Sequence, residues 1–196
     1  MLDGIGCRSR LCACDSRTQT ILIYDQHYAL LMNAVRFPIE GYALRDPTDE
    51  DTSFINECIK ESILMSVPEY ERKVSDVWMD DILSVTSMAM EGGMMRSDMM
   101  ILVNDKGDKA GILWMGISKD QFTCEDTGYI LGLFVIEELR GKGLGKALIK
   151  CAEDWCILND LPTITLNTGS PNEKAMELYS RLGFKERSTV MRKRIG

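Results

Sequence analysis

The feature that most constrains the fold is a long apolar stretch, Thr127–Ile136, that runs directly into a glycine-rich loop and then a helical pattern. Such a stretch is typical of a central strand that is covered on both faces of its sheet. The loop reads Arg140-Gly141-Lys142-Gly143-Leu144-Gly145, and apolar residues then repeat at helical spacing from Leu144 to about Asn159. The sequence therefore predicts a buried strand, a tight turn and a helix in immediate succession.

This loop has the properties of an anion-binding site. Glycine lets the backbone turn tightly and brings its N–H groups close to a ligand. The start of a helix adds unpaired N–H groups and a partial positive charge, and Arg140, Lys142 and Lys146 supply further positive charge. A pyrophosphate is the ligand that this arrangement favours, although an ordinary strand-to-helix turn has the same glycine spacing.

Two familiar phosphate-binding motifs do not fit the loop. In a P-loop the Gly-Lys pair is followed by Ser or Thr, but Gly145-Lys146 is followed by Ala147. In a Rossmann fingerprint the first two glycines are two apart and the third lies three beyond, whereas here the glycines stand at 141, 143 and 145. The loop therefore belongs to another phosphate-binding arrangement.

The rest of the pattern predicts one α/β domain with a mixed, mostly antiparallel sheet and helices on both faces. Its elements follow the order strand, two helices, three strands, helix, strand, helix, strand. The predicted strands besides the central one are Gly41–Arg45, Met99–Val103, Ala110–Ile117, Thr163–Asn167 and a last strand from Phe184 to about Arg192.

Three helix starts carry capping signals, in which a Ser or Thr precedes an acidic residue by three positions. The pairs are Thr48 with Asp51, Ser66 with Glu69, and Ser170 with Glu173. The second helix is predicted to stop near Gly92, and the third capping pair opens a helix that ends at Gly183.

Length and charge narrow the function classes. A chain of 196 residues fits one domain, and its apolar stretches are too short to cross a bilayer. The start lacks the apolar segment of a signal peptide, so a soluble cytoplasmic protein without membrane partners is predicted. The net charge of −7 argues against nucleic-acid binding, which needs a basic surface.

Residues 1–40 differ from the regular pattern of residues 41–196 and are treated as an N-terminal extension of the domain. Met32 stands shortly before the first predicted strand, so translation that begins there is one alternative. A genuine extension that docks on the domain or on a partner is the other.

The seven cysteines do not predict a metal site. Cys124, Cys151 and Cys156 lie in apolar patterns and are interpreted as small core residues. Cys7, Cys12 and Cys14 cluster near the start, but there is no second cysteine pair at zinc-like spacing and His27 is the only histidine. No metal cofactor is expected.

Two linked motifs resemble the signatures of the GNAT superfamily of N-acetyltransferases. Arg140, Gly143 and Gly145 match its Arg/Gln-x-x-Gly-x-Gly motif, directly after a strand that resembles the family's fourth strand. Downstream, the second signature is matched at the expected offsets by Asn172, Ala175, Tyr179 and Gly183-Phe184. The similarity covers about residues 41–195 in element order.

The resemblance implies a binding site for acetyl-CoA as co-substrate in a V-shaped opening between the fourth and fifth strands. Gly132 is expected to mark the bulge that spreads these strands. The backbone of Leu133, Phe134 and Val135 would bind the pantetheine arm. Asn172 would contact the pantetheine or cap its helix, and Tyr179 would contact the cofactor. The pyrophosphate would lie on the loop formed by Arg140, Gly141, Lys142, Gly143, Leu144, Gly145 and Lys146.

The reaction implied is direct attack of a neutral primary amine on the thioester in a ternary complex, with Tyr179 protonating the departing thiolate. The central strand has no carboxylate in its interior, so the general base stays open between Glu125 or Asp126, just before it, and ordered water. A protein N-terminus, a lysine side chain, a polyamine and a small antibiotic-like amine are all open as acceptors, and so is a homodimer. The missing carboxylate favours the alternative of a catalytically inactive acyl-CoA-binding module.

Overall fold

The computed structural model describes residues 35–72, 96–193 and 195, and these contain one five-stranded sheet. The strands follow one another across the sheet in chain order, antiparallel from β1 to β4, with β5 parallel to β4. This mixed, mostly antiparallel sheet confirms the predicted fold class. The strands are β1 (Tyr42–Arg45), β2 (Arg96–Asn104), β3 (Lys109–Lys119), β4 (Asp126–Val135) and β5 (Ile164–Leu166).

Helices cover both faces of the sheet, as predicted. They are α1 (Thr52–Ser66), α2 (Leu144–Leu158) and the shorter α3 (Glu173–Arg181). On one face, Ile55 and Cys58 of α1 form a buried cluster with strand residues that include Ile101 and Phe134. On the other face, the apolar side of α2 forms the larger core with residues of β2, β3 and β4.

Helix α2 is fixed against the sheet by one polar and one very close apolar contact. Trp155 is completely buried, and its indole N–H donates to Asp98 Oδ2 at 3.0 Å. Opposite Gly128 the helix lies so near to β4 that a Cβ atom on this residue would be 2.3 Å from Cys156 Sγ. The absence of a side chain at Gly128 therefore allows the helix to pack directly on the strand backbone.

A buried carboxylate joins β1, α1 and β3. Asp51 is 1% exposed and contacts Arg45 Nη1 and Lys109 Nζ, each at 2.6 Å. It also accepts hydrogen bonds from Thr48 N at 2.8 Å and Thr48 Oγ1 at 3.0 Å. The predicted pairing of Thr48 with Asp51 is thus present, in a 3-10 turn (Asp49–Asp51) that leads into α1.

The predicted last strand is wrong. No described residue after β5 belongs to a strand, and every described side chain from Lys185 onward is exposed. The segment is instead attached by side chains: Arg187 forms an ion pair with Asp120 in the β3–β4 loop and lies over the Phe122 ring. Because residues 185–189 are mostly charged or hydroxylated, they lack an apolar face that would hold a strand on the domain.

Two smaller expectations are also wrong. Ser170 does not cap α3, since the cap residue is Asn172 and a turn from Gly169 to Asn172 (Asn172 N to Gly169 O, 3.0 Å) delays the helix. Cys124 is exposed in the β3–β4 loop, whereas Cys151 and Cys156 are buried as predicted. The body of the second predicted helix, residues 73–92, lies outside the described residues.

The described part of the chain begins in the core. Val35 and Phe37 are 7% and 6% exposed and belong to the larger core cluster, together with Ile39 at its margin. The core therefore includes residues on the N-terminal side of Gly41. No helix within the described ranges is long and apolar enough to span a bilayer.

Candidate active site

One edge of β4 is paired with β5 only over the first half of the strand. β5 pairs only with Gly128–Ile130, and no described strand pairs with this edge of residues 131–135. On the other edge the register with β3 shifts between Trp114 and Met115, which leaves Leu131 as the extra residue of a bulge. The implied opening between the fourth and fifth strands is therefore present, with the bulge at Leu131 beside the expected Gly132.

The loop after β4 ends in a helix terminus suited to an anion. Gly143 is the N-cap of α2, with φ of 85° and ψ of −5°, a left-handed conformation that favours glycine. No side chain caps this end, and Ala147 N donates to Gly143 O at 3.0 Å to begin the helical hydrogen bonds. The N–H groups ahead of Ala147 point out of the helix toward the loop.

Arg140 organises the loop from within. Its Nε donates to Val135 O at 2.9 Å, its guanidinium lies 5.0 Å from the centre of the Phe134 ring, and its Nη2 is 3.5 Å from Glu61 Oε2. One side chain thus connects the end of β4, the loop and α1. Lys142 and Lys146 of the same loop are exposed.

Helix α3 lies against the loop. A Cβ atom on Gly145 would be 3.4 Å from Leu178 Cδ2, so the two sequence motifs meet at this point. Asn172 begins α3 without a side-chain capping bond, which leaves its amide available to a ligand. Tyr179 stands one residue beyond Leu178, and its ring packs on Phe184 with centroids 5.7 Å apart.

The hydroxyl of Tyr179 is protonated and free to donate. Burial raises the pKa of Tyr179 above its ordinary value of about 10. No described residue forms a hydrogen bond with this hydroxyl. The hydroxyl can therefore donate its proton to a ligand without first giving up a hydrogen bond to a described residue.

The two candidate bases lie far from the bulge. Asp126 is the first residue of β4 and is paired with Lys119 at 2.6 Å, while Glu125 is exposed in the loop before it. Leu131 lies five residue steps along the strand from Asp126, a distance of roughly 16 Å at about 3.3 Å per residue. Neither carboxylate reaches the bulge.

The buried cysteines are not arranged as nucleophiles. Burial raises the pKa of Cys58 and of Cys156 to about 12 and that of Cys151 to about 11, so these thiols stay protonated at neutral pH. A nucleophilic cysteine requires the opposite shift. Within the described residues there is also no group of three or more His, Cys, Asp or Glu that could hold a metal ion.

The structure brings most of the predicted site together: Leu133, Phe134 and Val135 beside the free edge, the loop from Arg140 to Lys146 after it, and α3 against the loop. Sequence reasoning missed Glu61, which contacts Arg140, and Ile39, whose Cδ1 is 3.9 Å from the position of a Cβ on Gly143. Neither belongs to a motif, and only folding brings them to the loop.

The fold and the two motifs define a protein of the acyl-CoA N-acyltransferase class. The family described as "Acetyltransferase (GNAT) family" matches residues 68–184, more than half of the chain. The chain belongs to this GNAT acetyltransferase family.

Solved structures share its architecture. A putative acetyl transferase from Pyrococcus furiosus is similar with a TM-score of 0.66 and 23% identity, over 79% of this chain and 99% of that one. The aminoglycoside N-acetyltransferase AAC(6')-Iy, solved in complex with CoA, is similar with a TM-score of 0.55 and 18% identity, over 79% of this chain and 94% of that one. At these identities the similarity shows the fold.

Among curated relatives, the uncharacterized N-acetyltransferase YhfO of Bacillus subtilis is 41% identical over 59 residues, which are 30% of this chain and 40% of that protein. The matched segments span less than two thirds of the length of each of these curated relatives.

Proposed function

We propose that this protein is a cytoplasmic N-acetyltransferase that transfers the acetyl group of acetyl-CoA to a primary amine. The observation that carries the proposal is the contact between the two motif-bearing elements: Leu178 of α3 lies against Gly145 in the first turn of α2. Tyr179, whose hydroxyl has no hydrogen-bond partner among the described residues, is the next residue of α3 after Leu178, which supports its role as the proton donor.

The residues present fit acetyl-CoA. The uncapped start of α2 offers N–H groups and a positive dipole end to the pyrophosphate, and the exposed Lys142 and Lys146 add charge. Ile136 N donates to Ala110 O of β3, so by alternation the backbone groups of Phe134 also face β3 and those of Leu133 face the free edge. Leu133 can therefore bond the amide-containing pantetheine arm, as one strand does another. The carbonyl of Val135 is already bonded to Arg140, so it contributes less to this edge.

The proposed reaction is direct attack. The lone pair of a neutral amine forms the C–N bond at the thioester carbonyl, and the C–S bond then breaks. Tyr179 gives its proton to the departing thiolate, while the proton released by the amine passes to water and restores the phenol. A backbone N–H near the bulge at Leu131 would stabilise the negative charge on the carbonyl oxygen, an effect often worth about 3–4 kcal/mol.

Binding is tested by thermal unfolding with acetyl-CoA. At about 100 times the Kd the ligand should stabilise the folded state by about 2.7 kcal/mol. For a chain of this size, that raises Tm by roughly 5–10 °C. An unchanged Tm at saturating acetyl-CoA would remove the proposal.

Turnover is tested by CoA release with a panel of amines: a peptide N-terminus, a lysine peptide, a polyamine and an aminoglycoside. We expect CoA release with at least one class. Binding of acetyl-CoA without release in any of them would instead support the inactive acyl-CoA-binding module, which the absence of a carboxylate from residues 127–136 favours.

A further inference from the structure

A cavity of about 80 Å³ lies between α1 and the sheet, where β4 leaves β5. Four of its ten lining residues come from α1, and the other six come from β3 and the bulged part of β4. It therefore borders the same residues, 131–134, that carry the free edge of β4. The residues that decide its character are Cys58, Ser62, Trp114, Leu131, Gly132 and Phe134.

The cavity is an uncharged, mainly apolar space. No described residue of its wall carries a charge, and the polar side-chain groups among them are the Ser62 hydroxyl, the Cys58 thiol and the Trp114 indole. Burial raises the pKa of Cys58 to about 12, which keeps the thiol neutral. An ammonium or carboxylate would lose its hydration here without a charged partner, at a high cost in free energy. The transfer of an alkyl group from water into this space is favourable in free energy.

Gly132 creates part of this space. A Cβ atom on this residue would point toward the wall and meet Trp114 Cβ at 3.6 Å and Ile112 Cδ1 at 3.9 Å, which are ordinary contact distances. A small side chain at 132 would therefore fit without a clash and would occupy room that is now open.

We propose that this cavity receives the alkyl chain of the acyl group, so that the enzyme transfers short aliphatic acyl groups longer than acetyl. The inference rests on the function proposed above, because it places the thioester at the free edge of β4. A chain attached to that carbonyl is next to the cavity, since residues 131–134 form both the edge and the wall.

The chemical step is the same as for acetyl transfer. The amine nitrogen forms a bond to the acyl carbon, the C–S bond breaks, Tyr179 protonates the thiolate, and water takes the amine proton. The products are the longer N-acyl amide and CoA. The cavity supplies only a favourable environment for the alkyl chain.

The test compares the Kd of acetyl-, propionyl-, butyryl- and octanoyl-CoA for the full chain by calorimetry. Each buried methylene should tighten binding about fourfold, which gives roughly 16-fold from acetyl to butyryl. The gain should end before octanoyl, since an apolar cavity of about 150 Å³ is known to hold one benzene molecule and this cavity is smaller. Equal or weaker binding of the longer chains, with acetyl-CoA still bound, overturns the inference and leaves the proposed function standing. Failure of every acyl-CoA to bind would overturn the proposed function itself.

Substitutions in two opposite walls of the cavity test whether the alkyl chain binds there. Ser62→Leu fills it from α1 with a good helix former, and Ser62→Ala removes the hydroxyl without filling it. We expect Ser62→Leu to lose the roughly 16-fold preference for butyryl-CoA and to bind acetyl-CoA as before, while Ser62→Ala keeps the preference. Gly132→Ala should reduce the butyryl-to-acetyl ratio from the strand side.

Two results contradict the assignment. A preference for butyryl-CoA that survives in both Ser62→Leu and Gly132→Ala would place the chain elsewhere. A change confined to the KM of apolar amine acceptors, with the acyl-CoA series unaltered, would assign the cavity to the side chain of the acceptor.

Discussion

At the scale of single residues, the ring of Tyr179 packs on Phe184, while its hydroxyl has no hydrogen-bond partner among the described residues. Tyr179→Phe keeps the contact with Phe184 and removes only the proton donor. If the hydroxyl protonates the thiolate, kcat should fall by about 10²–10⁴-fold. KM for acetyl-CoA should change far less, because the interaction belongs to the transition state.

Steady-state kinetics and Tm of the Phe variant decide the role of Tyr179. A structural tyrosine would lower Tm and leave kcat nearly intact. Because burial raises the pKa of Tyr179, the acid form should persist beyond pH 10. A fall of wild-type kcat between pH 7 and 9 that disappears in the variant would contradict this.

Gly143 offers a second test, with a matched control in the same chain. Gly143 and Gly107 have nearly the same φ, 85° and 83°. A Cβ atom would meet nothing within 4 Å at Gly107 and only Ile39 Cδ1, at 3.9 Å, at Gly143. Substitution of either glycine by alanine should therefore lower the free energy of unfolding by about 1–2 kcal/mol. Only Gly143→Ala should weaken acetyl-CoA binding, because a methyl group there stands where backbone meets pyrophosphate.

Isothermal titration and thermal unfolding of Gly143→Ala and Gly107→Ala separate strain from binding. Equal Kd values in the two variants would show that the loop does not bind the pyrophosphate.

At the scale of elements, Asp51 joins β1, α1 and β3 through Arg45 and Lys109. Asp51→Asn removes the buried charge that both cations share, and we expect a loss of about 3 kcal/mol in the free energy of unfolding. This is the low end for a buried pair, since Arg45 and Lys109 retain solvent contact. Asp49→Asn, an exposed acid in the same turn, is the control and should change little.

The ion pairs of Asp51 with Arg45 and Lys109 also predict that the stability of the protein depends on pH. The cations hold the pKa of Asp51 well below its ordinary value of about 3.9. Its contribution is therefore fully present above pH 5 and is lost as the pH falls below about 4, because the unfolded chain takes up the proton first. In urea unfolding the gap between wild type and Asp51→Asn should shrink from pH 7 to pH 3. A constant gap would show that the ion pairs contribute nothing.

At the scale of the whole molecule, burial shows that Val35 and Phe37 are part of the domain core. Deletion of residues 1–31 keeps Val35 and Phe37 in the core and should leave a folded protein that binds acetyl-CoA. Deletion of residues 1–38 removes both, at about 1.5–3 kcal/mol for each buried side chain, and should lower Tm sharply. Phe37→Ala in the full chain should cost about 3–5 kcal/mol.

Thermal unfolding of the two truncated forms and of Phe37→Ala measures the contribution of these residues. Loss of soluble protein on deletion of residues 1–31 would show that the domain extends further toward the N-terminus.

The sequence by itself determined the elements whose signal is local. The apolar run of β4, the glycines of the loop and the helical period of α2 each report on neighbouring residues, and all three were predicted close to their observed bounds. The two motifs identified the family for the same reason, since each preserves its spacing within one strand-to-helix or helix-to-turn unit.

The tertiary structure decided what depends on residues far apart in the chain. Residues 184–192 were predicted as a strand, but a strand needs a partner, and Arg187 binds Asp120 instead. The start of the domain, the contact of Glu61 with Arg140 and the cavity under α1 likewise require residues that only packing brings together. A linear pattern carries the propensity of each segment, whereas hydrogen-bond partners and burial are properties of the folded whole.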